Sequence, residues 1–557
     1  MHAALVICLA LVSAPRPTDT ALVCPDEFLP ALQPWIEHRR AQGHRFVQIS
    51  NTLSATQLRD EIRRQATLHP LRFVVFVGDA DPLAATSQKL LARSVPTQLS
   101  KAKINVQWGS EPEIASDMPF ADLDDDHIPD LAIGRLTADD PQQLAVIVKK
   151  ILDYENHTDS GQWCRRLSVV AGVGDFGGIV DKVLETATKK FLTEGIPSGY
   201  AMSMTYGSWR SPYCPDPRTF RAATMDRLNE GSLFWIYIGH GQRRYLDSIR
   251  VPGRAFPIFD VDDVRELQRA GGAPIAVFLS CYAGAFDERR DCLAEELLRS
   301  PQGPVAVYGG SRVTMPYAMA VMGIEMMNEC FQHRRVTLGE VVLHAKQRMA
   351  KSISEKPVDT NRAMLDAIAK VVSPAPDQLD AERMEHLLLF NLIGDPLLRM
   401  KHPQALEVSV PKSAYAGERI TIVGTVPFGG RCTLELACRR DRTRQVLSQR
   451  SSFVPTNAAL AAYSEMYAQA NDRRWTSEVF ACQAGQFQRE LVVPADATGP
   501  SHVRVFVEDG GRFALGSADV YLRRSKPASE EPASEKPAPE KPAPEKPAPE
   551  KPAKTPP

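Results

Sequence analysis

The stretch LRFVVFVGDA (71–80) carries five consecutive large apolar side chains, Phe73 to Val77, and then stops at Gly-Asp. A strand with one wet face alternates apolar and polar residues. An unbroken apolar run of this length reads instead as a strand buried on both faces, turning polar where it emerges. The signature recurs in DLAIGRL (130–136), RRLSVVAGVGDFGG (165–178), GSLFWIYIGHG (231–241), APIAVFLSCYAG (273–284) and GPVAVYGGS (303–311). Helical periodicity separates most of these runs, at Gln142 to Tyr154, Ile179 to Glu194 and Val261 to Ala270. Near the start of the chain, residues 20–50 read as strand, helix, strand. Leu29, Leu32, Trp35 and Ile36 stand at helical spacing there, and Gly43 ends the helix. Apolar strands alternating with helices predict an α/β fold on a mainly parallel sheet.

At 557 residues the chain exceeds what one hydrophobic core serves, so two or three domains are expected. Its net charge of -1 leaves no basic surplus to hold nucleic acid and no acidic surplus to solvate a disordered chain. Residues 1–18 begin with an apolar run, Ala3 to Val12, followed by Ser13 and Ala14. This is the length of a signal-peptide core, too short to span a bilayer. No Lys or Arg precedes the run and Pro15 follows Ala14, so a buried first strand is the competing reading. Read as a signal peptide, it sends the protein to the cell envelope or the medium. No later segment has the ~18 uninterrupted apolar residues of a spanning helix. None of the ten cysteines falls in a CxxC pair with metal spacing. Cys432, Cys438 and Cys482 can include one bridge in an exported protein.

Beyond about Lys401 the texture changes. ERITIVGTV, RCTLELAC, RELVVPA and HVRVFVED alternate with a period of two, which predicts a small antiparallel sandwich over 404–524. Residues 525–557 repeat Pro, Glu, Lys and Ala; proline at that density forbids helix and sheet, and a disordered, extended tail is expected. The α/β part divides at about 158, into an N-terminal subdomain (19–158) and a catalytic one (159–403).

In such sheets function gathers at the carboxyl ends of the strands. GSLFWIYIGHG delivers His240 to one such end between Gly239 and Gly241, and APIAVFLSCYAG delivers Cys281 to another. Alone, the first is a tight turn with a half-buried histidine and the second an inert core cysteine. Together they supply a thiol nucleophile and its proton partner. His240 then protonates the leaving amine, and the N–H groups of Gly241 and Cys281 can face a tetrahedral oxyanion.

These two segments, with CLAEELL (292–298) and GPVAVYGGS, resemble the gingipain family of cysteine peptidases in the caspase-like clan. DLAIGRL followed by a helix ending in KKILDYE resembles the end of that family's first subdomain, and NLIGDPLLRM (391–400) its closing strand. The resemblance implies a caspase-like α/β sheet flanked by helices in two subdomains, then an immunoglobulin-like β-sandwich. It implies a monomeric cysteine-type endopeptidase acting on protein or peptide substrates, with His240 as general acid/base and Cys281 as nucleophile. It also implies a carboxylate beside the histidine; Asp175 is the nearest acid, and a helix-capping role fits it equally well. Asp181 lies near the position of a specificity acid but reads as a solvated helix charge. A peptidase-like fold retained only for binding or surface assembly is the alternative function, and aminolysis of the same thioester a third.

A separate signal is FADLDDDHIPDLAIG (120–134). Asp122, Asp124, Asp126 and Asp130 occupy positions 1, 3, 5 and 9 of a loop, with the Ile128 carbonyl at position 7, as in a loop that wraps Ca²⁺. His127 stands where such loops prefer glycine and no glutamate follows at position 12, so a solvated acidic turn is the competing reading. Gingipains bind calcium, which favours the ion. No cofactor is expected for catalysis itself.

Overall fold

The computed structural model describes residues 17–156, 161–173, 195–351 and 360–524. The apolar leader, the helix expected at 179–194 and the Pro-rich tail lie outside them. Among the described residues ten strands form one sheet in the order Phe46–Ile49, Thr20–Val23, Phe73–Val77, Ala132–Leu136, Phe390–Ile393, Ala306–Gly310, Ile275–Leu279, Phe234–Ile238, Arg166–Ala171, Ala201–Tyr206. The first five run parallel to one another, and so do the last five. The halves meet antiparallel, with Gly310 opposite Phe390 and Val307 opposite Ile393. The mainly parallel sheet therefore has one reversed seam at its centre, and the carboxyl ends of one half share an edge with the amino ends of the other. The runs that lack alternation are buried on both faces, as in Phe73–Val77, Ile275–Leu279 and Ala306–Gly310.

The Gly-Asp-Pro after Phe390–Ile393 ties that strand to the helix Leu29–Ala41. The buried Asp395 carboxylate accepts the Trp35 indole N–H, the Arg39 guanidinium and the Leu397 N–H. Arg39 also pairs with Glu155 at 2.7 Å. Burial alone would raise the Glu155 carboxyl, but Arg39 and the Arg399 N–H hold it below its ordinary range. Removing one partner from a buried pair of this kind costs about 3–5 kcal/mol, because the other charge is left in low dielectric.

One expected helix is absent. Val261 to Ala270 contains only a single 3₁₀ turn, Asp263–Glu266. The N–H groups that would continue it are taken by Asn229, whose side chain accepts from Gln268 and whose carbonyl accepts from Ala270, both at 2.8 Å.

The C-terminal part consists of two sheets. Arg419–Val426 alternates exposed and buried residues as its sequence predicts. Its inward side chains join Leu434, Leu436, Leu491, Val503 and Val505 in a separate core. Cys432, Cys438 and Cys482 are free thiols there, not a bridge. The strand-only expectation missed a helix, Asn457–Asn471, capped by the Thr456 side chain. That helix docks on the outermost strand of the large sheet. The Asn471 amide accepts the Met204 N–H at 2.8 Å and donates to the Met204 carbonyl at 3.0 Å. The Tyr467 hydroxyl bonds the Thr205 hydroxyl at 2.7 Å, and Arg473 donates to the Met202 carbonyl at 2.9 Å. Side chains thus take the place of an eleventh strand and close an edge that would otherwise invite intermolecular pairing.

Asn471→Leu leaves both polar groups of Met204 unpaired. Urea unfolding is expected to shift to a lower midpoint with unchanged slope, a loss of about 1–3 kcal/mol. An unchanged midpoint would show that the edge needs no cover.

Candidate active site

Phe234–Ile238 and Ile275–Leu279 are neighbours in the sheet, and their last register pair is Ile238 opposite Leu279. His240 and Cys281 each lie two residues beyond that pair, so the two strands deliver them side by side. The Gly239 N–H donates to the Leu279 carbonyl at 3.2 Å, carrying the contact past the strand ends. Gly241 sits so close that a Cβ would lie 2.7 Å from the Cys281 carbonyl and 2.8 Å from the Ser280 hydroxyl. Only glycine fits there without forcing the histidine loop away from the cysteine. The His240 carbonyl accepts the Tyr237 hydroxyl at 2.7 Å and the Asp247 N–H at 3.3 Å, which fixes the turn. Cys281 is half-buried, whereas Cys292 is fully buried.

Past Cys281 the chain bends hard. Tyr282 has φ +57°, a left-handed conformation that costs a non-glycine residue about 1–2 kcal/mol. Its partners offset that cost. The phenol donates to Glu111 at 2.8 Å, and the Arg243 guanidinium lies 4.4 Å over the ring. Arg243 also pairs with Glu111 and, at 2.6 Å, with Glu288. Burial and the Glu111 charge push the Tyr282 phenol up to about 12, so it remains a donor. The bend sends the Tyr282 N–H to the Arg312 carbonyl (3.2 Å) and turns the Ala283 N–H back onto the Cys281 carbonyl (2.7 Å).

A third strand end completes the site. After Ala306–Gly310 the chain runs through Ser311 to Met315, and the Thr314 N–H points at the Cys281 sulfur, 3.3 Å away. The Thr314 hydroxyl and carbonyl each lie 3.7 Å from the same sulfur. This loop is tied to the N-terminal half through Ser311 to the Ala115 carbonyl (2.8 Å) and Arg312 to the Glu113 carbonyl (3.0 Å). Sequence reasoning missed Glu111, Arg243, Tyr282 and Thr314. Their one visible mark was a set of glycines: the missing side chain of Gly284 allows its approach to the Gly309 carbonyl, which a Cβ there would meet at 2.9 Å, and a Cβ on Gly310 would lie 2.7 Å from Thr314 Cγ2. Asp175 and Asp181 lie outside the described residues.

The acidic loop is only partly gathered. Carboxylate oxygens of Asp122, Asp124 and Asp130 all lie within 4.8 Å of one another. Asp126 accepts the Ile128 N–H at 2.7 Å and is not in that group. His127 takes φ +68°, the conformation glycine favours at that position. Burial and the charges of Asp124, Asp126 and Asp122 raise the Asp130 carboxyl, as expected of acids crowded without enough counter-charge. Arg59 and Arg63 supply some, pairing with Asp125 at 2.8 and 2.7 Å, and Arg59 reaches Asp122 at 3.3 Å. A second acidic group, Asp79, Asp291 and Glu295, surrounds Arg299. Among the described residues no helix is long and apolar enough to cross a membrane.

Comparison with known proteins identifies the family and the fold. The model of peptidase family C25 matches residues 13–401. Lys-gingipain of Porphyromonas gingivalis is 22% identical over 299 residues, which is 53% of this chain and 16% of that protein. Lys-gingipain W83 of the same organism is 21% identical over 297 residues, 53% of this chain and 15% of that protein. This chain thus spans well under a fifth of the length of these relatives. Among solved structures, the crystal structure of the Arg-specific cysteine proteinase gingipain R superposes with a TM-score of 0.50 at 15% identity, covering 91% of this chain and 98% of that one. A second, described as "Structure of Protease", gives 0.51 at 13% identity over 90% and 97%. These structural likenesses establish the shared fold, and the family match extends over well more than half of the sequence. The chain belongs to peptidase family C25, the gingipain-like cysteine peptidases.

Proposed function

We propose that this protein is a cysteine-type endopeptidase that hydrolyses peptide bonds through a thioester on Cys281. The observation that carries the reading is the shared register of His240 and Cys281 at adjacent strand ends, with Gly241 packed on the Cys281 carbonyl. The Cys281 thiolate attacks the scissile carbonyl carbon, and its oxygen becomes an oxyanion facing the N–H groups of Gly241 and Cys281. The imidazolium of His240 gives its proton to the leaving amine as the C–N bond breaks. A water then attacks the thioester, His240 takes its proton, and the thiolate leaves. Asp175 is assigned as the acid that orients His240.

The family relationship supports export to the cell surface or medium and protein or peptide substrates, and the enzyme is assigned as a monomer. The two C-terminal sheets are assigned as an immunoglobulin-like module. The acidic loop is assigned as a structural Ca²⁺ site built on Asp122, Asp124 and Asp130, with Asp126 and the Ile128 carbonyl as outer members. Three converging oxygens suit a hard cation, which would relieve the crowding that raises Asp130.

A peptide library incubated with the purified protein is expected to show reproducible cleavage. Cys281→Ala abolishes it, by at least about 10³-fold, and a thiol-directed electrophile marks Cys281. Cleavage that survives Cys281→Ala ends the proposal. Gly241→Ala is expected to lower kcat by about 10²-fold or more, since its methyl displaces both the histidine turn and an oxyanion donor; near-normal kcat would show that the close approach is not required. Calcium at 100 times its Kd is expected to stabilise the fold by about 2.7 kcal/mol. Asp124→Asn removes most of that gain, and an equal gain in the variant would place the ion elsewhere.

A further inference from the structure

The Thr314 N–H that meets the sulfur belongs to a loop whose first residues are well anchored. The Ser311 N–H donates to the Leu389 carbonyl at 2.9 Å, and the Val313 N–H to the Ser110 hydroxyl at 3.4 Å. Past Thr314, the chain enters the helix Pro316–Met327 through Met315, which has no side-chain acceptor to cap its own helix. A neighbouring helix, Leu379–Leu389, supplies the missing acceptors. His386 Nε2 takes the Met315 N–H at 2.7 Å, and one turn earlier the Glu382 carboxylate takes the Ala318 N–H at 3.1 Å. These are orphan donors that a helix start must place somewhere.

His386 is completely buried. Its Nδ1 lies 2.7 Å from the Glu382 carbonyl, an acceptor, so Nδ1 carries the hydrogen and Nε2 offers its lone pair to Met315. Burial pushes the imidazole down to about 4, so this neutral tautomer is the form present near neutral pH. Both ring nitrogens are thereby committed to roles that no apolar side chain can fill.

We propose that His386 is a positioning residue for the nucleophile: by accepting the Met315 N–H it holds the loop in the register that lays the Thr314 N–H on the Cys281 sulfur. That donor fixes the rotamer of the thiol and faces the negative charge the sulfur carries when it attacks. The role rests on the assignment of Cys281 as nucleophile. Its test does not depend on peptide cleavage.

The rate at which iodoacetamide alkylates Cys281 is measured in the full chain, with the adduct located by mass spectrometry. His386→Leu leaves the Met315 N–H without a partner and is expected to slow alkylation about tenfold. His386→Gln, whose side-chain oxygen reaches the position of Nε2, stays within about threefold of wild type. Peptide cleavage follows the same order, through kcat and with little change in KM. A folded His386→Leu that alkylates at the wild-type rate overturns the proposal, as does a His386→Gln slowed as much as the leucine variant. Should His386→Leu not fold, His386→Asn replaces it. Its amide meets the Glu382 carbonyl but falls short of Met315, so the same slowing is expected and a wild-type rate again overturns the role. If no peptide is cleaved even by the wild-type chain, the peptidase reading fails while the alkylation ratios still decide the role of His386.

Discussion

Everything about the site depends on how closely two strand ends can approach. Hydrogen bonding across the sheet sets Ile238 level with Leu279, and the missing side chain of Gly241 lets the two loops stay in contact beyond the last paired residues. Parallel strands commonly diverge where their ladder ends. Here a backbone-to-backbone contact prolongs the alignment past the last paired residues, to the positions that carry His240 and Cys281. The proximity of His240 and Cys281 is a property of the sheet and one glycine.

The N-terminal half does more than extend the sheet. Glu111, from a loop of that half, reaches across to the residue following Cys281 and, with Arg243, holds Tyr282 in a conformation its side chain resists. Ala115 and Glu113 of the same region accept from the loop that carries Thr314. The site is therefore assembled from both halves. The reversed seam makes this feasible, because it brings the amino-terminal edge of one half alongside the carboxyl-terminal edge of the other.

Much of this was legible in the sequence, for a physical reason. Strands buried on both faces need unbroken apolar runs, so Phe73 to Val77 and Phe234 to Ile238 announce themselves, and polar residues just beyond such runs mark the edge where chemistry collects. What escaped depends on partners remote in sequence. Val261 to Ala270 has helical periodicity, but Asn229 captures its backbone donors. Thr314 and Tyr282 look ordinary until the fold puts one on a sulfur and twists the other. Asn457–Asn471 did carry a signal, with Leu460, Tyr463 and Tyr467 at helical spacing on a good helix-forming background, and its strand-rich surroundings obscured it. The direction of Phe390–Ile393 was unreadable, because a short apolar strand looks the same whichever way it runs.

The position of that strand bears on how the nascent chain matures. Phe390–Ile393 fills the middle of the sheet, yet the ribosome makes it after all nine of the other strands. Until it emerges, Ala132–Leu136 and Ala306–Gly310 each present a bare flank, and the two half-sheets have no template for joining. Large chains with late, non-local pairings expose sticky intermediates for longer. A chain cut short before this point would yield two half-sheets with matching open flanks. The central strand thus acts as a completion check: the two half-sheets join only on a chain synthesised past Ile393.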